Sequence, residues 1–302
     1  MLMMHIRKML MERTRTNMDV SITYDRGSKL RKSSTMIAFV RNPYTRLFSG
    51  YVDKMYCINP SFWKSVGKSV LRVVRGNASR TGSVRCGHDI SFAEFVNYFI
   101  YQHDNKQHID SHFMPISEHC KFCETEYTYI GKIETFRDDM LSVSDAMGML
   151  DYKTTREAIL KYGFHGKRET ISCWVSLVYD RRVEIETCGL SFIEGLRALW
   201  KTCQIRGMIS KEIPFPLQAN DTKITFERFN ELAQKAYNAS EPSILHEGRN
   251  RALRQAYGSL TYHAKVKLRK IFERDFEMFD YDPMPDFVFG EYQNVDNIDF
   301  FS

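Results

Sequence analysis

The chain of 302 residues is 43% hydrophobic and 13% aromatic, which excludes general disorder and allows a sizeable buried core. Its formal charge of +6 is uneven: residues 1–85 carry 17 Lys and Arg against 4 Asp and Glu, a surplus of 13 that leaves the remainder at −7. A basic first third suits a polyanionic partner, and nucleic acid is set aside because no zinc-finger or RNA-recognition signature accompanies the charge.

The pattern around Met3, Met9 and Leu10 predicts a helix over 3–12, followed by a basic polar loop over 14–34. Residues 36–40 are an apolar, β-favouring run that ends in Arg41. Pro43 suits the first turn of a helix, where its missing N–H is no loss, and a helix is predicted over 43–55. Leu47, Phe48 and Tyr51 give that helix an apolar face. Residues 59–88 read as a basic segment ending in an exposed loop around Asn77. Ser91 and Glu94 form a capping box opening a helix through Phe95, Phe99 and Ile100. A short strand is predicted at 127–130, a helix from Thr135 and another over 154–163. Helical patterns recur at 191–203, 225–237 and 260–279, with no internal repeat. Strands interleaved with helices predict an α/β fold with a mainly parallel central sheet flanked by helices, as one domain over 1–302 whose part 141–258 is helix-rich.

Arg41 falls at the carboxyl end of the first predicted strand, where open α/β sheets place their ligand crevices. Ser49 follows on the second turn of the helix, and an Arg and a Ser at such a joint make a sensible anion clamp. His112 is the candidate general base, on a loop that Pro115 stiffens, with His103, His108 and His119 as competitors. With Cys120 and Cys123 these histidines also offer metal-ligand types. A zinc site needs a second paired set of ligands, none is evident, and no metal is expected. Lys132 and Glu134 follow the second predicted strand. Gly163-Phe164-His165-Gly166-Lys167 is not a phosphate loop: two residues separate its glycines, and Arg168 follows the lysine. Seven cysteines and sequons at Asn77, Asn220 and Asn238 lean towards an oxidising lumen. No run of 18 apolar residues is present, so no transmembrane helix is predicted.

The positions Phe39, Val40, Arg41, Pro43, Arg46, Leu47, Ser49, Tyr51 and Lys54 resemble the segment F-V-R-x-P-x-x-R-L-x-S-x-Y-x-x-K of Golgi carbohydrate sulfotransferases, in the chondroitin/dermatan 4-O-sulfotransferase branch. Two further blocks are similar in order and spacing. One runs from His112-Phe113-Met114-Pro115 through Cys120-Lys121-Phe122-Cys123 to Tyr129-Ile130-Gly131-Lys132-Ile133-Glu134-Thr135. The other, from Leu268 to Tyr281, is similar to a closing helix with a Asp275-Phe276 pair. The resemblance implies a P-loop-like sulfotransferase fold and the donor PAPS (3′-phosphoadenosine-5′-phosphosulfate), with Arg41 and Ser49 on its 3′-phosphate. It also implies a glycosaminoglycan or other glycan acceptor, a structural Cys120–Cys123 disulfide and a place on the lumenal side of the Golgi membrane.

The chain departs from the pattern upstream. Relatives carry a P-K-V-x-C-T-x-W-K-R loop around the 5′-phosphosulfate, and His5-Ile6-Arg7-Lys8-Met9-Leu10-Met11 resembles only its tail. The first strand and that loop are expected to be missing, with Arg7 or Lys8 as the remaining ligand and a membrane anchor expected upstream. The alternative reading is a catalytically impaired relative that binds nucleotide or glycan.

Overall fold

A computed structural model describes residues 35–76, 86–151, 167–291 and 299–301, together with 153, 156 and 157. The helix expected over 3–12, the loop over 14–34 and most of the helix over 154–163 lie outside the described residues, as does the expectation of a missing first strand.

In chain order, β1 (Ile37–Val40) leads into α1 (Pro43–Tyr51), which continues through π-helical turns at Val52–Tyr56. A helical stretch over 60–75 precedes α2 (Phe92–Asp104) and the short α3 (Ile116–His119). Then come β2 (Tyr129–Lys132), α4 (Phe136–Ala146), α5 (Lys167–Asp180), α6 (Arg182–Thr187) and α7 (Phe192–Ile205). The chain closes with α8 (Phe226–Asn238), α9 (Pro242–Gly258), α10 (Tyr262–Ile271), α11 (Glu273–Phe279) and α12 (Asp286–Phe289).

The described residues gather into two compact units. The first takes 35–43, 114–151 and 272–282. Here β1 and β2 pair in parallel, with Ile37 opposite Tyr129 and Val40 opposite Lys132. Among the described residues the sheet holds these two strands, so the mainly parallel sheet of the sequence reading is present as one parallel pair. The second strand begins two residues later than predicted because Tyr127 is used locally: its hydroxyl donates to the Cys120 carbonyl at 2.8 Å and its ring stacks on Phe122 at 4.4 Å. Gly131 lies under the Phe39 ring, where a Cβ would stand 2.5 Å from Phe39 Cε1. Val40, Ile116 and Phe279 form the buried centre of this unit. The Asp275 carboxylate is 1% exposed and accepts the backbone N–H groups of Ile116 and Ser117 at 2.8 and 2.9 Å. It thereby satisfies donors that the first turn of α3 leaves without an intrahelical partner.

The second unit takes 44–76, 86–113, 167–271, 283–291 and 299–301. Its core is helical, and the sequence spacing shows why. Ile171, Val175 and Val178 on α5, Leu196, Leu199 and Cys203 on α7, and Phe229, Ala233 and Ala236 on α8 recur every three or four residues and are all buried. Each large aliphatic side chain buried this way stabilises the unit by about 1.5–3 kcal/mol. Leu47, Phe48 and Tyr51 make the buried stripe of α1, as the sequence predicts, and Tyr44 joins them. The predicted capping box is formed: the Ser91 hydroxyl accepts from Glu94 N–H at 3.2 Å, and Glu94 accepts from Ser91 N–H at 2.9 Å.

A disulfide joins Cys86 to Cys188, with Cα atoms 5.3 Å apart. Cys120 and Cys123 remain thiols, which corrects the disulfide inherited from the resemblance. Lys121 turns the chain with φ at 50°, and Cys123 meets the Arg274 guanidinium at 3.2 Å instead of its neighbour.

Candidate functional site

In the first unit both strands end together at Val40 and Lys132, and Arg41 follows β1 directly. This corner is built around Glu134. One carboxylate oxygen accepts the backbone N–H of Asn42 at 2.9 Å, and the other accepts the Tyr281 hydroxyl at 2.9 Å. Lys132 Nζ lies 4.4 Å from the Tyr281 ring centroid and donates to the Asp280 carbonyl at 3.2 Å. Asp280 adopts the left-handed region at φ 54°, which ends α11 and turns Tyr281 towards Glu134. Burial pushes the Tyr281 phenol well above its ordinary range, Glu134 adds to the shift, and the Arg41 charge opposes it. Arg41 therefore sits within electrostatic reach of Tyr281, beside a turn that Glu134 fixes through Asn42. Asp139 completes the corner by accepting Lys132 N–H and the Thr135 hydroxyl, each at 2.7 Å.

In the second unit, Ser49 lies on α1 next to Gly50, and Gly50 is where the loop carrying His112 meets the helix. A Cβ at Gly50 would stand 3.0 Å from Phe113 Cε1 and 3.6 Å from the His112 carbonyl oxygen. One turn earlier, Arg46 Nη2 donates to the Ser111 carbonyl at 3.2 Å. Arg46 and Gly50 thus tie the helix to the histidine loop. The His112 ring stands edge-on to Phe62 with centroids 5.5 Å apart, and Lys54 Nζ lies 5.6 Å from the centroid of Phe62. Asp110 Oδ1 lies 2.6 Å from His112 Nδ1 and accepts His112 N–H at 2.9 Å.

Of the residues singled out from the sequence, Ser49 lies on the helix against which the His112 loop packs at Gly50. Arg41 stands in the first unit with Lys132 and Glu134. Arg7 and Lys8 lie outside the described residues. The competing His103 faces Asp104 at a longer 3.5 Å. Among the described residues no three or more His, Cys, Asp or Glu side chains are gathered as a metal site. Sequence reasoning missed Asp110, Phe62, Tyr281 and Asp275 as functional supports. Only Asp110 had a local signal, an Asp two residues before the histidine, a spacing at which a carboxylate reaches back to a following N–H.

The model of the sulfotransferase family (Sulfotransfer_2) matches residues 4–201, and the chain belongs to that family. Within it, the chain is similar to carbohydrate sulfotransferases. It is 36% identical to carbohydrate sulfotransferase 8 of Homo sapiens over 119 residues, 39% of this chain and 28% of that protein. It is 34% identical to carbohydrate sulfotransferase 11 of Mus musculus over 128 residues, 41% of this chain and 36% of that protein. With carbohydrate sulfotransferase 14 of Danio rerio it shares 29% over 110 residues, 36% of this chain and 29% of that protein. The matched segment thus spans about a third of the length of these curated relatives. No solved structure matches the chain. Among the described residues no helix is long and apolar enough to cross a membrane.

Proposed function

We propose that this chain transfers a sulfuryl group from PAPS to a hydroxyl of a chondroitin- or dermatan-like glycan, on the lumenal side of the Golgi membrane. The observation that carries the reading is the histidine loop: Arg46 and Gly50 seat it on the helix that carries Ser49, and Asp110 holds the His112 ring. Arg41 and Ser49 hold the 3′-phosphate of the donor, the group that distinguishes PAPS from ordinary adenine nucleotides. Guanidinium contacts to phosphate are charge-assisted and geometrically selective. Arg7 and Lys8 supply positive charge to the 5′-phosphosulfate. His112 removes the acceptor hydroxyl's proton as its oxygen attacks sulfur, and negative charge moves to the bridging oxygen of the departing nucleotide.

Transfer of label from ³⁵S-PAPS to desulfated chondroitin and dermatan tests this. Incorporation that His112→Ala abolishes supports the reading. Tight binding of adenosine 3′,5′-bisphosphate without incorporation on either glycan would favour the second reading, a relative that binds without turnover. That reading draws on residues 5–11, which match only the tail of the 5′-phosphosulfate loop.

A further inference from the structure

We propose that Asp110 is a positioning residue for the proton acceptor: its carboxylate fixes His112 as the Nδ1–H tautomer and leaves Nε2 as the basic atom of the ring. The proposal deepens the reading above and rests on His112 as the base. One oxygen, Asp110 Oδ1, receives both the His112 backbone N–H at 2.9 Å and the ring Nδ1 at 2.6 Å. An ionised carboxylate is an acceptor only, so the ring nitrogen facing it must carry the hydrogen. The other nitrogen then keeps its lone pair. Burial works against ionisation of Asp110, but the two hydrogen bonds from His112 outweigh it and hold the group below the usual carboxylate range.

Further contacts fix where the ring can go. Phe62 stands edge-on at an interplanar angle of 84°, and Arg46 anchors the carbonyl of the preceding Ser111. Among the described residues the charged and titratable groups around the pair are His108 beside Asp110, Arg46 reaching the loop from α1, and Lys54 over Phe62, itself paired with Asp53 at 2.9 Å. The His112 side chain is 47% exposed, so an acceptor hydroxyl has access to it. In the reaction the hydroxyl oxygen forms a bond to sulfur, its proton passes to Nε2, and the bond from sulfur to the nucleotide's bridging oxygen breaks with its electron pair on the nucleotide. Asp110 then faces an imidazolium and stabilises it, a role a neutral partner fills less well.

Imidazole ¹⁵N spectra of the labelled full chain at neutral pH test the assignment, with the His112 signals identified by their loss in His112→Gln. The expected result is an Nδ1–H signature for His112, lost in Asp110→Ala and regained in Asp110→Asn, whose oxygen still accepts. In steady-state transfer Asp110→Ala should lower kcat about 10- to 100-fold with the KM for PAPS unchanged, a loss within the range that general-base catalysis supplies. An Nε2–H signature in the unaltered chain, or an undiminished kcat in folded Asp110→Ala, would overturn the proposal. Normal turnover by His112→Ala would instead remove the base reading, while the spectra of the unaltered chain would still decide the Asp110 assignment.

Discussion

The turn after Arg41 is fixed by a carboxylate from far along the chain. Arg41 follows a strand whose last residue, Val40, is buried, and the next peptide N–H, that of Asn42, is bonded to Glu134, 92 residues away in sequence. Arg41→Ala should weaken binding of adenosine 3′,5′-bisphosphate by roughly ten- to a hundredfold, the equivalent of about 1.5–3 kcal/mol for a hydrogen bond to a charged group. Titration calorimetry on a variant with an unchanged melting temperature would show this, and equal affinities would remove Arg41 from the donor site. The position of Arg41 was legible because an apolar run followed by Arg and Pro has few other uses. The Glu134 tie was not, because nothing in the local sequence links Glu134 to Asn42 and Tyr281.

Two elements owe their starts to carboxylates. Glu94 closes the capping box of α2 and also accepts from Arg75, with Nε at 2.6 Å and Nη2 at 2.9 Å. The hydrogen bond from Arg75, aided by those from Ser91 and opposed by burial, lowers the Glu94 carboxyl below its ordinary value of 4.5. A depressed folded-state value means that the unfolded chain binds the proton more readily. The stabilisation is therefore complete above about pH 4.5–5 and is lost as pH falls through the folded value. Thermal melts should show Glu94→Gln less stable than the unaltered chain at pH 7, with the gap closing on acidification; a gap independent of pH would contradict the linkage. Asp275 caps α3 from a distant part of the sequence. Asp275→Ala leaves two buried N–H groups without their partner and should lower stability by about 1–3 kcal/mol, measurable by denaturant titration. The cap of α2 was legible because its partners are three residues apart. The cap of α3 was not, because its partners are 158 and 159 residues apart.

Across the molecule, the disulfide from Cys86 to Cys188 closes a covalent loop with a separation of 102 residues. Cross-links that restrict the unfolded chain typically add about 2–4 kcal/mol, so Cys86→Ser with Cys188→Ser should lower the melting temperature, as should reductant on the unaltered chain. Peptide mapping under non-reducing conditions should recover Cys86 joined to Cys188, and Cys120 and Cys123 as separate thiols; a Cys120–Cys123 linkage would reverse the pairing. The amino-acid sequence by itself determined what depends on neighbours a few residues apart: the strand before Arg41, the helix from Pro43, the apolar stripes and the cap at Ser91. Three ordered motif blocks also carried the family, which the match over residues 4–201 bears out. Tertiary structure alone decided which cysteines pair, that α3 is capped by Asp275, that Glu134 holds the turn after Arg41, and that Gly50 receives the loop of His112. These are contacts between residues far apart in the chain, and their energies depend on geometry that hydrophobic periodicity and motif spacing do not encode.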